Sequence, residues 1–326
     1  MLDEKSGKVI EFSVVQVTEV TSSNAMEYEG CKRTLNALLQ DNIPVRCLTT
    51  DRHTTVIARM RSEYPNIKHQ YDVWHLSKWV TKKLTKKAKN KTCAELMPWI
   101  QAISNHLWYS ASTCGGNADL LREKWISILH HIVNKHQWDA LHLFHKCGHP
   151  EMPKREEKSY KWLNSGSPAH VALEEVVTNK KLLKDLAKLT EFHHTGELEQ
   201  FHSLMLKYLP KREHFSFKGM VAQTQLAALY HNFNVNRKQA VVTKGAQQGE
   251  KRYNVVCPKQ RKNWVAKPIK EKKSHSYVNA MMENVLKIQE GQTTDYNPRN
   301  QKKCIAPIPK PPKQVVIDRH KSRLLK

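Results

Sequence analysis

Between residues 93 and 189 nothing in the sequence alternates as a β-strand does. Apolar residues there recur at three- and four-residue intervals, in AELMPWIQAISNHLWYSAS, NADLLREKWISILHHIVNKHQW and HVALEEVVTNKKLLKDLAKLT. That is the spacing of helices burying one face. The tryptophans along this stretch (99, 108, 125, 138 and 162) are expected to anchor an all-α unit. Residues 1–92 read differently, as strands alternating with helices, so the chain is expected to be an α/β domain interrupted by a helical insertion.

Within the first part, residues 9–20 (VIEFSVVQVTEV) are β-branched and largely alternate, which predicts a strand. Residues 4–8 read as a turn and residues 1–3 as the stump of a preceding strand. Ser22 and Ser23 are placed to cap a helix over 24–41, with Leu35, Leu38 and Leu39 on one face. Residues 45–50 (VRCLTT) form a short apolar strand ending on Asp51. A helix over 54–63 follows and stops before Pro65, then a third strand-like run, IKHQYDVWH, and a basic helix, LSKWVTKKLTKKAKNK. A last helical stretch covers 197–232, broken near Pro210.

Charge narrows the partners. The 326 residues carry a formal net charge of +24. From Arg237 to the end there are 22 Lys/Arg against 6 Asp/Glu, so about two-thirds of the excess lies in the last quarter of the chain. Positive charge on this scale favours polyanions, nucleic acid before membrane. No apolar run reaches the roughly 20 residues of a membrane span, and the first residues lack the basic and apolar regions of a signal peptide. The seven scattered cysteines suit a reducing compartment. Residues 238–326 read as a basic, mostly disordered tail. Its runs KQRK (259–262) and KEKK (270–273) suit a nuclear import receptor, and hence a nuclear location.

Asp51 stands where a buried strand delivers a carboxylate to a sheet edge. Sites form there in open α/β sheets, and clustered carboxylates can hold the Mg²⁺ ions of phosphodiester transfer. The competing reading is a helix cap for residues 54–63. The ordered set TTD, YDVWHLSK, a helical insertion, then HTGELEQFHSLMLKYLPKR resembles the eukaryotic cut-and-paste Asp-Asp-Glu transposases, with the Kolobok and hAT groups as the nearest comparisons. The resemblance covers residues 9–237. It implies an RNase H-like core with a large all-α insertion before the last acid, acting on DNA with two divalent metals. By that resemblance Asp51 corresponds to the second catalytic acid, Asp72 and His75 to the Asp-x-x-His motif, and Glu199, with Glu197 as its rival, to the third acid. Asp51 and Glu199 would then be the Mg²⁺ ligands.

The chain departs from the pattern at its start. The strand at residue 9 follows a hairpin turn and leads into the first helix, so it corresponds to the third strand of an RNase H-like fold. The first strand and its acid are expected to be missing, which implies an incomplete core and a chain without strand-transfer activity. The expected organisation is residues 1–92 for the first part of the core, 93–189 for the insertion, 190–237 for its closing helices and 238–326 for the tail. Lys82, Lys83, Lys86 and Lys87, with Lys207, Lys211 and Arg212, form a candidate phosphate track. His145, Cys147 and His149, with His142 or Cys114 as a fourth group, are a zinc candidate of irregular spacing, and a histidine-rich helix end is the favoured reading. Homo-oligomerisation is compatible with the sequence. The rival class is a non-enzymatic α-helical interaction protein with a solubilising basic tail.

Overall fold

The computed structural model describes residues 1–259, 263–292 and 311–320. The chain divides into two compact units, Pro44–Glu197 and Met1–Ile43 with Leu198–Lys326. In chain order the α-helices are α1 (Ser23–Gln40), α2 (Thr54–Glu63), α3 (Val73–Ala88), α4 (Ile100–Ser112), α5 (Ala118–Ile126), α6 (Ile128–His131), α7 (Lys154–Glu157), α8 (Pro168–Val177), α9 (Lys180–Leu186), α10 (Gly196–Met205), α11 (Phe217–Asn234), α12 (Ser276–Gln289) and α13 (Lys313–Asp318). The strands are β1 (Cys47–Thr50), β2 (Lys68–Tyr71), β3 (Tyr253–Val256) and β4 (Val265–Pro268).

In the Pro44–Glu197 unit β1 and β2 pair in parallel, with Cys47 opposite Lys68 and Thr50 opposite Tyr71, joined by the α2 crossover. Helices here start where short polar side chains satisfy the orphan N–H groups of the first turn. Asp72 caps α3, Asn117 caps α5, Ser167 caps α8 ahead of Pro168, and Asn179 caps α9. From residue 93 to 189 the described residues hold helices and a single isolated bridge, Gln137 to Lys146, as the spacing predicted.

The core of this unit runs along α3 through Leu76, Val80 and Leu84 and into the insertion through Ile103, Leu107 and Trp125. Trp99, Trp125 and Trp138 are buried, while Trp108 and Trp162 pack partly exposed against the same core. Four indole N–H groups find carbonyls: Trp99 at Lys161, Trp125 at Val177, Trp138 at Phe144 and Trp162 at Glu157. These tryptophans are packing anchors, as expected. The strand-like run IKHQYDVWH splits. Its strand stops at Tyr71, and DVWH becomes the cap and first turn of α3, because the Asp72 carboxylate is better used at a helix N-terminus than inside a strand.

The other unit holds the largest departure from the sequence reading. Residues 4–8 form the expected turn, with Leu2 bridged to Val9. Residues 10–20, however, join no strand. Asn232 of α11 takes both hydrogen bonds of Val9, its Oδ1 accepting from the Val9 N–H and its Nδ2 donating to the Val9 carbonyl, each at 2.8 Å. Residues 17–19 wind into a 3₁₀ turn whose buried Glu19 meets Arg33 at 2.7 Å. On α1 Leu35 and Leu38 are buried, but Leu39 is exposed. A small cluster of Val9, Phe201, Ala227 and Ala228 collects Leu198, Leu204 and Met205 around it.

The segment expected to be mostly disordered from residue 238 carries structure where it is described. β3 and β4 form an antiparallel pair, residues 239 and 241 bridge to Lys270 and Lys251, and α12 follows. Backbone pairing organises it rather than a core, since the described residues of β3, β4 and α12 are nearly all exposed. Averaging charge over the whole segment hid the short β-branched runs. KQRK falls partly outside the described residues, whereas Lys270, Glu271, Lys272 and Lys273 are exposed.

Candidate functional site at the ends of the parallel strands

Asp51 and Asp72 each follow the last residue of adjacent parallel strands. The Asp72 N–H donates to the Thr50 carbonyl at 2.9 Å, so both acids leave the sheet at one level, on its carboxyl edge. The structure thus unites two motifs separated by 20 residues of sequence.

Their environments differ. Asp72 is wholly buried. Its Oδ1 accepts the Trp74 N–H at 2.8 Å, and its Oδ2 accepts the Thr195 hydroxyl and lies 3.7 Å from His75 Nε2. With both oxygens engaged and no solvent access, Asp72 is a cap and an anchor for its neighbours. His75, partly exposed, stands edge-on to Trp74. Asp51 is partly exposed, and its Oδ1 accepts the His53 N–H at 3.2 Å. The residue capping α2 is His53, so the competing reading of Asp51 as that cap does not hold. Arg52 pairs with Asp185 and lies over the Trp79 ring at 5.6 Å.

Beneath this edge His69 Nε2 sits 2.8 Å from Thr50 Oγ1. Burial, reinforced by the positive charge of Lys188, lowers its pKa to about 4. The ring is therefore neutral at pH 7, and since the Thr50 hydroxyl donates to the Asp51 carbonyl, Nε2–H donates to Thr50.

Glu199 and Glu197 are exposed on α10. The apolar face of α10 carries Leu198, Phe201, Leu204 and Met205, and Glu199 points away from it into solvent. Asp51 belongs to the Pro44–Glu197 unit and Glu199 to the other. On α3, Lys82, Lys83 and Lys86 are exposed opposite the buried Leu76–Val80–Leu84 face, while Lys87 pairs with Glu175. Lys78 extends the basic face and lies over the Trp74 ring at 3.2 Å. Lys207, Lys211 and Arg212 are exposed just beyond α10.

The zinc candidates are regrouped. Cys147 and His149 come together with His131 and His136. His145 instead turns its Nε2 to the His142 carbonyl at 3.0 Å, and Cys114 is buried with its thiol toward Ala111 and Thr190 carbonyls. Burial pushes the Cys147 thiol up to about 11, and burial with the neighbouring histidines holds His131 at about 4. The sequence reading missed three residues here. Thr195 lies in a quoted motif but looks like an ordinary helix-start residue. His131 and His136 had one signal, a His-x₄-His pair ahead of Cys-x-His.

The sheet edge thus carries Asp51 and the Asp-x-x-His turn of Asp72 and His75, beside the basic helix α3. Residues 16–149 match the family model of Mutator-like transposases. The matched segment contains Asp51, Asp72, His75 and the basic face of α3, and the transposase relationship is thereby supported for this part of the chain. Mutator is a different family from the Kolobok and hAT groups to which the motifs were compared. Comparison with curated proteins and with solved structures gave no match.

Proposed function

We propose that this chain is a transposase-derived DNA-binding protein, descended from a two-metal strand-transfer enzyme and itself without that activity. The observation that carries the reading is the carboxyl edge of β1 and β2, where Asp51 and Asp72 emerge side by side within the transposase-matched segment. Two-metal phosphoryl transfer needs several carboxylates presented to the ions. At this edge Asp72 is sealed from solvent. Within the Pro44–Glu197 unit, among the described residues, Asp51 joins no group of three or more His, Cys, Asp or Glu ligand atoms. Asp51 and Glu199 are, on this reading, remnants of the ancestral Mg²⁺-binding acids. The fold it implies is an RNase H-like core with the helices of residues 93–189 inserted.

DNA binding rests on dispersed cations, which need no exact geometry because phosphate contacts add. The exposed face of α3 supplies Lys78, Lys82, Lys83 and Lys86 on a rigid helix. Nuclear delivery through the exposed residues 270–273 belongs to the same reading.

The test is duplex-DNA affinity by fluorescence anisotropy as salt rises. Affinity should fall about 10³-fold or more between roughly 50 and 200 mM salt if six or more phosphates are neutralised. The Lys82→Glu/Lys83→Glu/Lys86→Glu variant should bind more weakly with a shallower slope, while Asp51→Ala should match the parent. Weak binding insensitive to salt would favour the helical interaction protein instead. Mg²⁺-dependent nicking lost in Asp51→Ala would overturn the inactive half of the proposal.

A further inference from the structure

The insertion contains four ligand-type side chains gathered at one point. His131, His136, Cys147 and His149 each present one ligand atom, and these atoms lie within 4.8 Å of one another. His131 closes α6, and His136 and Cys147 face each other across a short antiparallel contact. There the Cys147 N–H donates to the His136 carbonyl and the Trp138 N–H to the His145 carbonyl, both at 2.9 Å. The turn joining the two arms is fixed from outside, because the Glu123 carboxylate accepts the backbone N–H groups of residues 142, 143 and 144.

Three independent features point to an ion. His136 Nδ1 is buried with no hydrogen-bond partner, an uncommon state for a polar atom. Its other nitrogen is held by Asn134 Oδ1 at 3.0 Å, and Asn134 in turn donates to Glu157 at 2.6 Å. An outer partner of this kind fixes the tautomer and aim of a metal-bound histidine.

The three imidazoles are mutually near-perpendicular, at 78°, 79° and 82°, with ring centres 5.1, 5.3 and 5.0 Å apart. Metal–nitrogen bonds of about 2.0–2.1 Å in a tetrahedron place imidazole centres about 5.2 Å apart. His131 Nδ1 and Cys147 Sγ are already 3.4 Å apart, close to a tetrahedral edge of about 3.5 Å. Finally, His149 Nδ1 faces the Pro150 carbonyl at 2.7 Å, which directs Nε2 to the cluster, and the Trp162 ring packs on both His131 and His136.

We infer that His131, His136, Cys147 and His149 bind one Zn²⁺ ion as a closed four-ligand structural site in the helical insertion. Four protein ligands fill the tetrahedron, so no position is open for substrate or water, and the ion's work is to fasten chain. It ties the end of α6 to residues 134–149, a stretch held otherwise by one bridge and scattered hydrogen bonds. Binding deprotonates Cys147, and that proton leaves to solvent.

The experiment uses the full chain purified from zinc-supplemented cells, with metal measured by mass spectrometry and by Co²⁺ replacement. The parent should carry about one zinc per chain, and the Co²⁺ form should show a tetrahedral visible spectrum with a thiolate charge-transfer band. Cys147→Ser should abolish that band, and His136→Ala should lose most of the zinc. His145→Ala should keep both, since His145 lies outside the cluster. In the zinc-loaded parent a thiol reagent should modify exposed Cys257 readily and Cys147 only after chelation. A metal-free parent that develops no Co²⁺ spectrum would overturn the site. Loss of zinc in His145→Ala equal to that in His136→Ala would overturn the ligand assignment. The parent and His145→Ala carry these two outcomes, so a ligand variant that fails to fold leaves the site testable.

Discussion

The backbone N–H of Asp72 donates to the carbonyl of Thr50 at 2.9 Å, carrying the ladder between β1 and β2 one residue past the strand. Through this bond Asp51 and Asp72 share a sheet edge, although only Asp51 is open to solvent.

Asp72 should therefore matter to stability more than to DNA binding. Removing a capping carboxylate costs about 0.5–2 kcal/mol, and Asp72→Ala also strips Thr195 of its acceptor. Asp72→Asn keeps an oxygen for the Trp74 N–H and should be the milder change. Urea midpoints of the two variants at pH 7 check this. Equal midpoints for Asp72→Ala and the parent would remove the anchoring role.

Stability should fall in mild acid. Burial lowers His106 to about 4, against backbone hydrogen bonds that raise it, and His69 likewise lies at about 4. Unfolded histidine titrates near pH 6.5. Between that value and about 4 the unfolded chain holds more protons than the folded one, so stability declines as pH drops through the window and levels off below it. The contribution is complete above pH 6.5. Urea midpoints from pH 7 to 4.5 should show the decline, and a His69→Gln/His106→Gln variant should flatten it. An unchanged slope in that variant assigns the acid sensitivity to other groups.

Trp125 is fully buried, and its indole N–H reaches the Val177 carbonyl at 3.1 Å. Trp125→Ala should cost about 3–5 kcal/mol. Trp125→Phe should cost less but still leave that carbonyl unpaired, at about 1–3 kcal/mol. Thermal unfolding ranks the two, and a Phe variant as stable as the parent would deny the indole bond any weight.

Gly148 lies between Cys147 and His149 where a Cβ would run into the Tyr109 hydroxyl. Gly148→Ala should destabilise the loop, and Tyr109→Phe in the same chain should recover part of the loss by removing the nearest atom. A double variant no better than the single one would mean that the ring, 3.1 Å away at Cζ, sets the limit.

Sequence legibility followed locality. The α2 boundaries were readable because Pro65 and the residues after Asp51 confine them, and α1 because Ser22 caps it. Residues 9–20 alternate as a strand should, yet alternation cannot reveal which partner the backbone will meet. Here Asn232, 223 positions away, meets Val9 with a side-chain amide. Glu199 follows Leu198 of the apolar face of α10, but a one-residue step on a helix turns a side chain by about 100°, which puts it in water. Of the zinc ligands, Cys147 and His149 were visible as a pair. His131 and His136 were not, because they reach that pair only after residues 136–138 fold against 145–147.

The hydrogen bond from Thr195 to Asp72 closes a loop of 123 residues, and Lys188, near its far end, supplies the carbonyl for the outer Tyr71 N–H. The whole helical excursion thus leaves and returns at one narrow neck beside β2. Loop-closure entropy grows only logarithmically, by about 0.6 kcal/mol for each doubling of length. Segments added or lost between those anchor points would therefore change the size of the excursion at little thermodynamic cost while the strand ends kept their places.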